Sequence, residues 1–132
     1  MKVIDKLAWI ELKDKQILST RSFGKDKYYM PGGKREAGES DVDALCREIR
    51  EELSVELDEA SIDFLGVFEA QAHAQPEGTL VRMTCYRASY SGTLAPAAEI
   101  EEMRWLRFGD KDKVAPVDIL IFDFLKERDL MA

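Results

Sequence analysis

The chain has 132 residues, 45% of them hydrophobic and 34% charged, with a formal net charge of −7 and a mean hydropathy of −0.30. That size suits a single domain over residues 1–132 with one continuous core. The acidic balance disfavours an extended nucleic-acid groove or an anionic membrane surface as partner, and the apolar runs are too short to span a bilayer.

The MKVIDK start lacks the apolar core of a secretory signal, so the expected setting is the cytoplasm. In chain order, Val3 to Leu12 and Gln16 to Thr20 read as paired strands around the polar turn Lys13 to Lys15. Tyr28 to Met30 reads as a short extended piece. Ser40 or Asp41 caps a helix running to Leu53, with acidic residues near its start as the helix dipole prefers. Ile62 to Ala72 and Thr79 to Tyr90 are rich in β-branched and aromatic residues and form a second hairpin around Ala74 to Gly78. Glu102 to Phe108 alternates in the period of a strand, and Pro116 starts a last helix whose Ile119, Leu120, Phe122, Phe124 and Leu125 cover the sheet. Helices on both faces of a mixed sheet make an α/β/α sandwich. Cys46 and Cys85 lie in patterned segments without zinc-motif spacing and read as small buried hydrophobes.

The middle helix carries the chemistry. At about 100° per residue, Val42, Leu45, Cys46, Ile49 and Leu53 fall on one arc, and Glu48, Glu51 and Glu52 cluster on an adjacent one. Like charges at such spacing destabilise a helix by about 0.2–0.5 kcal/mol per pair. One reading is a solvated acidic face, with Arg47 and Glu51 as an i,i+4 pair. The other is a site for a hard divalent cation, magnesium or manganese, because the glycines of Pro31-Gly32-Gly33 just upstream allow close ligand approach beside the hard oxygen donors.

The stretch from Gly33 to Val55 resembles the Nudix box of the Nudix hydrolases. Gly33, Glu39, Arg47, Glu48, Ile49, Glu51, Glu52 and Val55 match at the required spacing, and Ser54 stands where the box has glycine. Glycine at a helix C-terminus usually serves a left-handed cap, so that departure is expected to bear on cap geometry rather than on chemistry. The resemblance implies the Nudix α/β/α sandwich over the whole chain. It also implies metal-assisted attack of water on a nucleoside diphosphate linked to another group. By the same resemblance Glu48, Glu51 and Glu52 are metal ligands, with the Gly33 carbonyl as a further one, and Glu51 or Glu52 deprotonates the water. Arg47 orients the neighbouring carboxylates and Glu39 braces the loop to the helix.

Many Nudix enzymes also bring a glutamate from a later loop near the metals, as base or ligand. Among Glu99, Glu101 and Glu102, Glu99 is the expected one, since the segment after Pro96 reads as loop; the alternative is that all three are solvated. His73, the only histidine, is a candidate contact to base or phosphate at the hairpin tip, and Arg21 a candidate cation for a terminal phosphate; solvated side chains are the other account of both.

Substrate choice in the family is usually encoded outside the box. Ala70 to His73 hold neither the proline of the ADP-ribose branch nor the tyrosine of the diadenosine-polyphosphate branch. The expected substrate is a nucleoside triphosphate, cleaved to monophosphate and pyrophosphate by a monomer or homodimer. ADP-ribose or a nucleotide sugar is the alternative. A non-catalytic nucleotide-sensing module is a rival from another class, although such modules commonly lose box glutamates that are all retained here.

Overall fold

In the computed structural model, which describes residues 2–132, apolar side chains alternate along the strands and feed two separate clusters. The strands are β1 (Lys2–Trp9), β2 (Leu12–Lys13), β3 (Gln16–Ser22), β4 (Gly32–Gly33), β5 (Glu56–Leu57), β6 (Asp63–Gln71), β7 (Thr79–Arg87), β8 (Tyr90–Ser91) and β9 (Ile100–Leu106). The helices are α1 (Asp41–Leu53) and α2 (Pro116–Glu127). Leu7 and Trp9 of β1 join the cluster of Leu45, Ile49 and Leu53 on α1, while Ala8 and Ile10 join that of Ile121, Phe122 and Leu125 on α2. The period of two thus places one helix on each side of the strands. Phe122 is fully buried, and its truncation to alanine would cost about 3–5 kcal/mol.

The strands form a four-stranded sheet in the order β4-β1-β7-β6, a three-stranded sheet β2-β3-β9, and the small pair β5-β8. β1 runs parallel to β7, from Lys2↔Thr79 to Trp9↔Tyr86, and β6 is antiparallel to β7 as the hairpin pattern predicts. The first strand expected from sequence needs correction. Val3 to Leu12 is not one strand paired with Gln16 to Thr20: the chain changes sheet at Ile10 and Glu11. The Ile10 amide donates to the Tyr86 carbonyl on one side, and the Leu18 amide donates to the Glu11 carbonyl on the other. Alternation records that both faces are buried but not which strand lies alongside. Only Leu12 and Lys13 pair with Ile17 and Gln16, across a two-residue turn whose Asp14 and Lys15 have positive φ.

The last strand starts at Ile100, two residues earlier than the pattern suggests, so Glu101 and Glu102 both lie within it. The short strands β4, β5 and β8 have no sequence signature of their own. α1 begins at Ser40, whose side chain accepts from the Asp43 amide, and ends at Ser54 in the left-handed region at φ 64°. α2 opens with Pro116 at its first turn. No helix among the described residues is long and apolar enough to cross a membrane.

Candidate active site

β4 makes the site possible. Gly33 pairs with Leu7 and Gly32 with Ala8, which lays this glycine pair between β1 and α1. A Cβ on Gly32 would come within 2.0 Å of the Leu7 carbonyl oxygen, and one on Gly33 within 2.5 Å of the Glu48 carboxylate. The absence of side chains therefore lets the α1 carboxylates reach the backbone. The Gly32 amide donates to Glu52 Oε1 at 3.0 Å.

Glu52 is only 6% exposed. Burial pushes its carboxyl up to about 8, with the charges of Glu48 and Glu99 adding to the rise and the Gly32 amide opposing it. Burial raises Glu48 as well, against the pull of Arg47. Arg47 ties the acidic face together. Its Nε and Nη2 donate to Glu39 at 2.7 and 2.9 Å, its Nη1 to Glu48 at 3.0 Å, and its Nη2 also to the Lys34 carbonyl at 3.1 Å. The Arg47 guanidinium, helped by the Glu36 amide, holds Glu39 down at about 2. Glu51 behaves differently: its side chain is 53% exposed and its nearest partner is Arg47 at 3.4 Å.

Glu99 comes from the segment between β8 and β9 and lies against Glu52 on the wall of the same cavity. The other two loop candidates are engaged elsewhere. Glu101 pairs with Arg21 at 2.8 Å, and Glu102 accepts from the Tyr28 hydroxyl.

The cavity has a volume of about 700 Å³. Its lining includes Glu48, Glu52 and Glu99, then Lys6 and Tyr29, and Ala115 and Val117 around the start of α2. The Lys6 ammonium lies 5.8 Å from the centre of the Tyr29 ring. Its pKa is lowered by burial and by Lys34, against Asp118, Glu52 and Glu48, so Lys6 faces both acidic groups. Asp118 of α2 is fully buried, and its carboxylate has no well-formed hydrogen bond, only an approach from the Met30 backbone amide. Burial pushes it up to about 8, moderated by the Met30 backbone amide and Lys6.

Of the two substrate-contact candidates, His73 lines the cavity, with Nε2 2.9 Å from Asp26 Oδ1, joining the β6–β7 turn to the segment after β3. Arg21 does not line it; its guanidinium also donates to the Lys25 carbonyl at 3.2 Å. Asp118, Lys6 and Tyr29 escaped the sequence reading. One signal for Asp118 was present: with Ile121, Phe122 and Leu125 it completes an i, i+3, i+4, i+7 stripe, so an acid occupies a core position.

The NUDIX domain family model matches residues 6–124, and the chain belongs to this family. It is a Nudix hydrolase, an enzyme of the class that cleaves diphosphate bonds in nucleoside diphosphate-linked substrates, generally with a divalent metal ion. Similar solved structures span nearly the whole chain. The Escherichia coli ORF135 protein is 28% identical, with a TM-score of 0.74 over 97% of this chain and 92% of that one. A MutT NUDIX hydrolase from Burkholderia pseudomallei is 22% identical, with a TM-score of 0.73 over 93% and 98%. The MutT protein from Methanosarcina mazei Go1 is 16% identical, with a TM-score of 0.75 over 97% and 96%; at such identity it and the Burkholderia protein speak for the fold alone. No curated protein sequence matches the chain.

The residues present suit a hard cation. The donors are carboxylate and carbonyl oxygens, the glycine pair admits them to the backbone, and mutual repulsion of Glu48, Glu52 and Glu99 is of the kind a cation relieves. Among the described residues no three acidic, histidine or cysteine side chains already converge as a ligand group, and the exposed Glu51 lies beside Arg47.

Proposed function

We propose that this enzyme is a magnesium-dependent pyrophosphohydrolase of (deoxy)nucleoside triphosphates, releasing a nucleoside monophosphate and pyrophosphate. The observation that carries this reading is Asp118. Its carboxyl is fully buried near the Lys6 ammonium, one residue from Val117 on the wall of the cavity that leads to the α1 glutamates, and would meet a base edge once neighbouring side chains part. Tyr29 adds an aromatic face beside Lys6.

Glu48, Glu51 and Glu52, with the Gly33 carbonyl, would hold the metal; manganese suits the same donors. When bound, a divalent cation neutralises diphosphate oxygens and makes water a better nucleophile. Glu52 is aimed by the Gly32 amide, and Glu48 by Arg47. Glu99 accepts the proton of the attacking water as its oxygen bonds to phosphorus. The bridging P–O bond then breaks and its electrons leave with pyrophosphate. Lys6 and His73 contribute positive charge or hydrogen bonds along the cavity wall, and Arg47 holds the acidic face in place without touching substrate.

The test is a panel of nucleoside triphosphates, ADP-ribose, nucleotide sugars and dinucleoside polyphosphates with magnesium, following pyrophosphate and monophosphate separately. Pyrophosphate released from a nucleoside triphosphate in preference to the rest is the expected result. Monophosphates formed chiefly from ADP-ribose or a nucleotide sugar would move the assignment to those substrates. Tight binding without turnover would make the chain a sensor.

A further inference from the structure

The only departure from the box, Ser54, sits in the left-handed conformation at φ 64° and ψ 22° that glycine would adopt without steric penalty. A serine there gains something glycine lacks: its hydroxyl donates to the Ala95 carbonyl at 3.2 Å. The bond belongs to a larger seam. The amide of Ala95 donates to the Leu53 carbonyl at 3.0 Å, and that of Ala97 to the Glu52 carbonyl at 2.9 Å. Three successive residues at the end of α1 therefore grip the segment between β8 and β9, Glu52 and Leu53 through carbonyls that a helix C-terminus leaves free and Ser54 through its hydroxyl. Ala95 is held by both its N–H and its C=O, which fixes the plane of the chain there.

From Ala95 the path to Glu99 is short and bounded. Ala98 turns through φ 53°, the Ile100 amide closes back on the Ala97 carbonyl, and the Glu99 carbonyl accepts from the Phe23 amide at 2.9 Å. Glu99 then meets Glu52, whose own carbonyl is part of the seam. We propose that Ser54 is a positioning residue: its hydroxyl bond to Ala95 sets the segment that delivers Glu99 to the α1 carboxylates. The inference rests on the role given to Glu99 above, and it replaces the expectation that residue 54 bears on the helix cap alone.

Three substitutions separate the seam from the cap. Ser54→Ala keeps the Cβ and loses the hydroxyl, Ser54→Gly also relieves the backbone, and Ser54→Asn tolerates the left-handed region while restoring a donor. In metal-free protein, hydrogen exchange at the amides of Ala95 and Ala97 should quicken in the Ala and Gly variants, with the interior of α1 unaffected. With nucleoside triphosphate and saturating magnesium, kcat should fall roughly fivefold, the scale of one ordinary hydrogen bond, with KM little changed. Ser54→Asn should recover most of both signals. The double variant Ser54→Ala with Glu99→Gln should be no slower than Glu99→Gln alone. Unchanged exchange and kcat in Ser54→Gly, or losses that multiply in the double variant, would overturn the proposal. Full activity in Glu99→Gln would instead remove the role of Glu99 on which it stands, while hydrolysis of another substrate class would leave the seam untouched.

Discussion

Each helix carries one buried carboxyl, Glu52 on α1 and Asp118 on α2, and burial pushes both up to about 8. Their surroundings differ. Glu52 keeps company with Glu48 and Glu99 and accepts from the Gly32 amide; Asp118 has the Met30 amide and Lys6 nearby and no well-formed hydrogen bond. Crowding of like charges is relieved by a cation shared among them, whereas a solitary dry carboxyl is relieved by a neutral hydrogen-bonding partner. On the proposed function, the same displacement from ordinary carboxyl behaviour would serve phosphate chemistry beside Glu52 and base recognition beside Asp118. Context decides the function, not the size of the shift.

The contrast is sharpest in kinetics. Glu52→Gln should lower kcat by about 10²-fold or more, because it removes a negative donor beside the reacting phosphate, while leaving the metal-free fold intact. Steady-state rates across a magnesium titration, with circular dichroism of the same samples, check this. A folded variant with undiminished turnover would put Glu52 outside the reaction. Asp118→Asn should act on the other parameter, raising KM for the preferred nucleoside triphosphate about tenfold while changing kcat little, the scale of one hydrogen bond to a charged or strongly polar group. Equal loss in kcat for both variants would erase the distinction between the two ends.

Stability against pH gives a smaller effect with a definite sign. Between its ordinary value of 3.8 and about 8, folded Asp118 holds a proton that the unfolded chain has lost. Its contribution is complete below that window and declines as pH rises through it, and Glu52 adds a slope of the same sign between 4.5 and about 8. Urea midpoints of metal-free protein across pH about 5 to 9 should fall, and Asp118→Asn should flatten part of the decline. A midpoint that rises over that range would contradict the burial of both groups. The smallest change is expected at Arg21, which is tied to Glu101 rather than to the cavity. Arg21→Ala should cost about 1 kcal/mol or less and leave KM nearly unaltered; a large rise in KM would show that the guanidinium swings to substrate.

The α1 end of this comparison could be read from the sequence, and the α2 end could not. Helix geometry puts Glu48, Glu51 and Glu52 on one arc and the box spacing singles them out, with Gly33 close upstream, although Glu51 stays exposed beside Arg47. Helix ends, the β6–β7 hairpin and the start of α2 follow from caps, turn residues and Pro116, all local signals. Asp118, by contrast, looks like an ordinary acid in the first turn of a helix, where the dipole favours it. Its burial depends on β1 and Met30 closing over it. Lys6 is hidden for a related reason: on a strand of unknown partner, a lysine reads as solvent-facing. A first strand read into the wrong hairpin thus hides the neighbourhood of Lys6 and Asp118, whereas Glu99 is legible because a loop glutamate near the box helix needs only proximity.

The parallel pairing of β1 with β7 also sets an order of events during synthesis. All of α1 is made before β7, and β1 has no β7 to lie against until residues 79–86 have been made. Gly32 and Gly33 are aligned through β1, so the backbone half of the cation site waits for the same step. Closing so long a loop is entropically slow compared with helix growth. The cavity is therefore a late product, complete only when Ala115 and Val117 at the start of α2 reach its wall. A nascent or truncated chain carries the whole box motif and has no pocket in which to use it.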